Sequence, residues 1–320
     1  MAKTVSIPSV TLGSTGITMP LVGFGTVEYP LCEWFKDAVL HAIKLGYRHF
    51  DTASTYPSEQ PLGEAITEAL RLGLIKSRDE LFITSKLWLT DSFPDRVIPA
   101  LKKSLKNMGL EYLDCYLIHF PVCLIPEATY PVKKEDIRPM DFEGVWAAME
   151  ECQKLGLTKT IGVSNFTAKK LERILATAKI LPAVNQVEMN PVWQQKKLRQ
   201  FCEEKGIHFS AFSPLGAVGT DWGHNRVMEC EVLKEIAKAK GKSLAQIAIR
   251  WVYQQGVSVI TKSFNKQRME ENLDIFDWKL TPEELHKIDQ IPQYRGSRGE
   301  TFVSENGPYK TLEEMWDGEI

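Results

Sequence analysis

Short runs rich in β-branched and aromatic residues alternate along this chain with longer runs whose apolar positions recur every three or four residues. The short runs predict strands at 21–25 (LVGFG), 47–51 (YRHFD), 81–86 (LFITSK) and 113–119 (LDCYLIH). They continue at 160–164 (TIGVS), 183–188 (AVNQVE), 207–213 (IHFSAFS) and 257–261 (VSVIT). Helical spacing fills the intervals, as at 59–72, 94–107, 145–154, 168–178, 195–205 and 243–254. Gly46, Gly73, Gly109, Gly156, Gly206 and Gly256 follow helical runs, where a left-handed exit is expected. Eight strand–helix units without a Gly/Pro/Ser-rich linker predict one α/β domain over 1–320, a (β/α)8 TIM barrel.

Three segments exceed the bare repeat. Residues 8–20 predict a β-hairpin turning near GSTG, and 229–240 predict an extra helix. Residues 291–320, which include Trp316, predict an irregular C-terminal tail. A two-domain doubly wound protein is the competing architecture. It is disfavoured because no G-x-G-x-x-G follows a strand, and GFG at 23–25 lacks the third glycine.

Composition narrows the class. The chain has 320 residues, 43% apolar and 25% charged, enough for a large core. A net charge of −2 gives no electrostatic case for nucleic acid or an anionic membrane surface. The opening MAKTVSIPSV has no apolar signal region, and no run approaches the roughly 18 residues of a spanning helix. A soluble, cytoplasmic protein is expected. Its six cysteines contain no C-x-x-C, so reduced thiols are expected rather than a disulfide frame or a metal site.

In such a barrel the chemistry collects at the C-terminal strand ends. Those ends carry Asp51, Lys86, His119, Ser164 with Asn165, Gln186 to Glu188, Ser213 and Lys262, and Tyr56 follows the second strand. A phenol of pKa about 10 is a weak donor at neutral pH, and a nearby ammonium strengthens it by favouring phenolate. Asp51 can hold Lys86 charged, and His119 can orient a carbonyl oxygen. Together they protonate an oxygen as negative charge develops there. They supply no electrons, so a hydride must come from elsewhere. Taken singly, each has a plainer reading: a loop cap, a solvated lysine, a core histidine, a packing tyrosine. Their joint occurrence on one rim favours the catalytic set.

At these residues the chain resembles an aldo-keto reductase over essentially its whole length. The resemblance rests on GYRHFDTASTYPSEQPLGEAI, LFITSKLW, YLDCYLIHFP, IGVSNF, NQVEMNP, FSPLG and TKSFNKQRMEEN. It implies that Tyr56 is the proton donor, supported by Lys86 and Asp51, with His119 orienting the carbonyl. It also implies a small-molecule carbonyl substrate and a monomeric protein.

The resemblance further implies an NADPH/NADP+ cofactor held without a Rossmann fold. Ser164, Asn165 and Gln186 offer neutral groups that suit a carboxamide. By resemblance, Phe212 stacks on the nicotinamide, Ser213, Leu215 and Gly216 line the pyrophosphate path, and Gly25, Thr26 and Asp51 are further cofactor contacts. At 261–272, Ser263 or Asn265 caps a helix whose first turn is crowded by Lys262, Lys266 and Arg268. Cations there oppose the helix dipole, and a bound phosphate reverses that sign. The alternative is a solvated basic turn offset by Glu270 and Glu271. The resemblance places the 2′-phosphate on Lys262, Ser263, Asn265 and Arg268 and the adenine end at Glu271 and Asn272, with Phe264 a further cofactor contact.

SRDELFITSKLW, VWAAMEECQKLGLTKTIGVSNF, MNPVWQQKKLR and LGAVGTDWG resemble the plant ketone reductases of specialised metabolism. Codeinone, methylecgonone, galacturonate and chalcone-type reductases belong to that branch. An alkaloid ketone of the methylecgonone or codeinone kind is the expected substrate, with sugar acids and polyketides as alternatives. Val27 and Phe120 stand where sugar-reducing relatives carry Trp, whereas Trp88 is kept, which implies an enlarged pocket formed with His119. Two other classes compete. A metal-dependent sugar isomerase would need carboxylate or imidazole ligands where Lys86, Asn165 and Gln186 stand. A non-catalytic NADPH-binding protein of the same fold would not need the full set.

Overall fold

The computed structural model describes residues 4–220 and 223–320, so Asp221 and Trp222 of LGAVGTDWG lie outside the described residues. A hairpin of β1 (Ser9–Thr11) and β2 (Thr18–Pro20) precedes the first barrel strand. The strands β3 (Val22–Gly25), β4 (His49–Asp51), β5 (Phe82–Leu87) and β6 (Leu113–Ile118) follow. A small antiparallel ribbon of β7 (Cys123–Leu124) and β8 (Ile137–Arg138) comes next. Then come β9 (Thr158–Ser164), β10 (Val184–Glu188), β11 (His208–Phe212) and β12 (Ser258–Thr261). Eight of them close a parallel barrel in the order β3-β4-β5-β6-β9-β10-β11-β12.

Around the barrel run α1 (Phe35–Leu45), α2 (Glu59–Arg71), α3 (Val97–Met108), α4 (Phe142–Lys154), α5 (Ala168–Leu175) and α6 (Lys196–Glu204). They are followed by α7 (Arg226–Glu229), α8 (Glu231–Lys240), α9 (Leu244–Gln254), α10 (Lys266–Leu273), α11 (Pro282–Asp289) and α12 (Leu312–Trp316). Amphipathic spacing explains them. In α2, for example, Leu62, Ala65, Ile66 and Ala69 make one buried stripe. The six glycines expected at helix exits all adopt positive φ, from 63° to 115°.

The eight expected strands form with ends shifted by a few residues. The second begins at His49 rather than at 47, because Arg48 turns back to donate to Ile43 O and Tyr47 O. The expected helix at 229–240 forms as α8 from Glu231, and Cys230, with extended backbone, separates it from the short α7 that ends at Glu229. The tail is less irregular than expected, since Thr311 caps α12 by accepting from Glu314 N.

The two barrel ends are closed differently. Leu12 and Met19 of the hairpin region pack with Phe82, Cys115, Leu117 and Val184 at the end where the strands begin. At the other end Trp88 and Phe120 pack with Val122, Leu124, Phe302, Met315 and Trp316, so the β7–β8 region and the tail share one apolar cluster.

Candidate active site

Barrel register sets the acid and the lysine side by side. Asp51 pairs with Thr84 between β4 and β5, and Lys86 points inward two positions further on. Lys86 is 1% exposed, and its Nζ donates to Asp51 Oδ1 at 2.5 Å and to Thr52 O at 2.9 Å. Gln186 Nε2 donates to the other carboxylate oxygen at 2.7 Å. A buried ion pair needs such added bonds to offset desolvation. Thr26 braces the same strand end: it is fully buried, with Oγ1 donating to Asp51 O at 2.9 Å. Its N–H also goes to Asp51 O, so Thr26 holds the loop and has neither donor free for a cofactor.

Tyr56, half-buried in the loop before α2, closes the site from above. Lys86 Nζ lies 5.3 Å from its ring centroid. The Tyr56 and His119 rings meet edge-on at 5.7 Å, and His119 and Trp88 do so at 5.2 Å. His119 follows β6, and its Nδ1 is buried without a partner among the described residues. Burial, aided by the Lys86 charge, holds the imidazole well below its usual pKa and therefore neutral.

One expectation is corrected here. Tyr56 is not made more acidic in this arrangement: burial, then the Asp51 charge and Tyr29, push its phenol well above 10. The lysine charge that would oppose this is already compensated at 2.5 Å by Asp51. The phenol stays protonated, as a proton donor must be.

Ser164, Asn165 and Gln186 converge on the floor. Ser164 Oγ donates to Gln186 O at 2.7 Å, and Asn165 Nδ2 donates to His119 O at 3.0 Å. Asn165 Oδ1 and Gln186 Oε1 accept no bond from described residues and suit an incoming amide NH2. Asn165 holds φ at 63°, a conformation Asn tolerates better than most residues. It is 3% exposed, so the N-x-T motif at 165–167 is no surface sequon.

Phe212 ends β11 half-exposed. After it the chain turns sharply, with Ser213, Gly216 and Ala217 all at positive φ. A Cβ on Gly216 would lie 2.5 Å from His224 O, so glycine alone lets the loop close there. Leu215 packs on the barrel core below. Gly25 is similarly confined, since its Cβ would sit 3.0 Å from Ile260.

At α10 the cap is Asn265, whose Oδ1 accepts from Arg268 N at 3.0 Å, while Ser263 Oγ accepts from Asn265 N. Lys262 does not crowd this turn. It reaches across the cleft to Glu28 Oε1 at 3.2 Å and lies 5.1 Å from the Phe264 ring centroid. Arg268 is exposed and makes no ion pair with any described residue. Asn272 is 6% exposed, beside the Tyr47 phenol, which leaves Glu271 the more accessible of that pair. The residues therefore fit a dinucleotide with a terminal phosphate: a tight turn beside Gly216, open amide acceptors below, and an unpaired guanidinium at a helix N-terminus.

Other functional placements were not read from the sequence. Glu188, although at a strand end, is 2% exposed and accepts from Gly296 N and Ser297 N, which fastens the tail. The Glu28–Lys262 contact joins residues far apart in sequence, and only the acid beside Val27 hints at it. A cavity of about 620 Å³ opens at the hairpin end, but its Asp114 and Lys159 are paired to each other at 3.2 Å. Among the described residues no helix is long and apolar enough to cross a membrane.

A parallel barrel with a phenol, an imidazole and a buried lysine–carboxylate pair at one mouth defines a carbonyl oxidoreductase that draws on a dinucleotide. The chain belongs to the Aldo/keto reductase family, whose model matches residues 23–293. It is 80% identical over 315 residues to the (1S)-1,7-diacetoxy-luvungin A aldo-keto reductase of Citrus sinensis, covering 98% of this chain and 99% of that one. It is 58% identical over 314 residues to NADPH-dependent codeinone reductase 1-4 of Papaver somniferum, covering 97% and 98%. A Bombyx mori aldo-keto reductase in complex with NADP superposes with a TM-score of 0.82 at 38% identity, over 91% of this chain and 95% of that one. The protein is an NADP-dependent oxidoreductase acting on carbonyl substrates.

Proposed function

We propose that this reductase takes a bulky, partly apolar ketone in preference to a small polar aldehyde. The observation that carries the reading is Val27. It is partly exposed and belongs to none of the hydrophobic clusters of the described residues, while the tail closes onto Trp88 and Phe120 instead. The rings of the tail are engaged with Trp88 and Phe120 and share no cluster with Val27, which supports an enlarged pocket beside Val27. When bound, NADPH supplies the hydride. Tyr56 gives the carbonyl oxygen its proton, and a ring N–H of neutral His119 donates to the same oxygen. Lys86, held by Asp51, fixes the field beneath the phenol. The amides of Asn165 and Gln186 would hold the cofactor's carboxamide, Phe212 would lie beside its nicotinamide, and Arg268 with Asn265 would take its 2′-phosphate.

Relatives rank the candidates. The Citrus sinensis protein at 80% identity favours a luvungin-type compound ahead of a codeinone-like alkaloid, for which the 58% identical Papaver somniferum enzyme speaks. We take the chain to act as a single-domain cytoplasmic monomer; the one family match over residues 23–293 supports the single domain. A panel of ketones and aldehydes, followed by NADPH absorbance, tests the substrate class. In it, Val27→Trp should cost at least about 1–3 kcal/mol of transition-state binding for bulky ketones and little for small aldehydes. Proportional losses for both would sink the wide-pocket reading.

Cofactor choice has its own test. Arg268→Ala should weaken NADPH binding by roughly 10- to 100-fold, since a charge-assisted bond contributes about 1.5–3 kcal/mol. NADH lacks the 2′-phosphate and should lose little. Fluorescence titration with both cofactors decides it, and equal losses would make Arg268 a structural residue.

A further inference from the structure

Tyr29 lies two residues beyond Val27 on the loop after β3, and it is 59% exposed. Aromatic rings normally bury most of their area, so a large one left in water beside a reactive site calls for a reason. It is not a loose side chain. Its Oη donates to Thr55 O at 2.6 Å, and its ring stands edge-on to Tyr56 at 6.5 Å and 86°. Tyr29 belongs to none of the hydrophobic clusters formed by described residues.

The rings thus form a row: Tyr29, Tyr56, His119 and Trp88, each roughly perpendicular to the next. Phe120 and Phe302, 4.9 Å apart, back the far end. Tyr56 and His119 occupy the middle, where a carbonyl oxygen must sit. Trp88 walls one side against the packed tail, whereas Tyr29 stands at the other end of the row, outside every hydrophobic cluster of the described residues and with Tyr130 near its phenol. A small aldehyde engaging Tyr56 has no atoms to reach Tyr29. A fused-ring body does.

We propose that Tyr29 is a specificity-determining residue: the outer lip of the substrate pocket, laid against the hydrocarbon rings of a polycyclic ketone. The proposal rests on the bulky-ketone reading above and names its chemical class, a fused-ring and largely apolar ketone. Anchoring through Oη holds the ring in place before substrate arrives, which lessens the ordering cost of binding. The competing role is a brace, in which Tyr29 matters only because it ties Thr55 and hence Tyr56.

Two substitutions in the NADPH-loaded enzyme separate the roles. Tyr29→Leu removes both ring and anchor; Tyr29→Phe removes only the anchor. The probes are a steroidal ketone and butanal. Tyr29→Leu should raise KM for the steroidal ketone by about ten-fold with kcat within about two-fold, as loss of one aromatic contact predicts. Butanal kcat/KM should fall by no more than about two-fold, and Tyr29→Phe should restore most of the lost KM. An unchanged KM in Tyr29→Leu overturns the proposal. So does an equal loss of kcat on both substrates in both variants, which would make Tyr29 a brace. Wild-type enzyme that reduces butanal and no polycyclic ketone would overturn the bulky-ketone reading itself, and the lip with it.

Discussion

Tyr56→Phe is expected to lower kcat for carbonyl reduction by about 10²- to 10⁴-fold while leaving NADPH affinity nearly intact. The substitution keeps the ring that meets His119 at 5.7 Å and Tyr29 at 6.5 Å, and removes only the O–H. Burial and the Asp51 charge hold that phenol well above 10, so it is fully protonated at neutral pH. A general acid loses activity as pH rises through its pKa, which here lies beyond 10. His119 titrates well below 6.5, so it stays neutral across the same range. In the wild type the chemical step should therefore be flat from pH 6.5 to 10, and a limb falling well inside that window would contradict both placements. Single-turnover reduction followed by NADPH absorbance reads both results. A Phe variant that kept more than about a tenth of the rate would not have lost its proton donor.

The residues of this site were legible because they break a pattern. Asp51 and Lys86 are charges within buried strands, and every residue of β4 and β5 is buried. Such a charge demands a partner, and the barrel repeat places the two on neighbouring strands. The sign of the Tyr56 shift was not legible. It depends on whether the Lys86 charge reaches the phenol or is first compensated by Asp51, which the sequence order of the residues does not fix. The direction of Lys262 was hidden for the same reason, since its partner Glu28 lies at the other end of the chain. The tail gave no periodic signal. Its docking on Trp88 and Phe120 arises from scattered residues such as Phe302, Met315 and Trp316. Single rings from irregular segments leave no spacing to read.

Lys86→Met is expected to destabilise the fold by about 3–5 kcal/mol, measured by urea unfolding. The lysine is 1% exposed and the Asp51 carboxylate 5%, so neither charge has water to fall back on. Removing the ammonium takes away the 2.5 Å contact to Asp51 Oδ1 and leaves Thr52 O without its donor. Gln186 Nε2 would remain on Oδ2, but one neutral amide cannot replace a full positive charge. The double variant Lys86→Met with Asp51→Asn removes both charges together, and it should recover a good part of the loss. A buried pair can often be exchanged for neutral groups at little cost, whereas half of a pair cannot be tolerated. Activity should separate from stability in that double variant: the fold returns, but the field beneath Tyr56 does not, and reduction stays slow. If Lys86→Met alone unfolded at the wild-type urea concentration, the pair would be solvated in the working enzyme. If the double variant regained full turnover, the pair would be scaffolding, and Tyr56 would need neither charge to give up its proton.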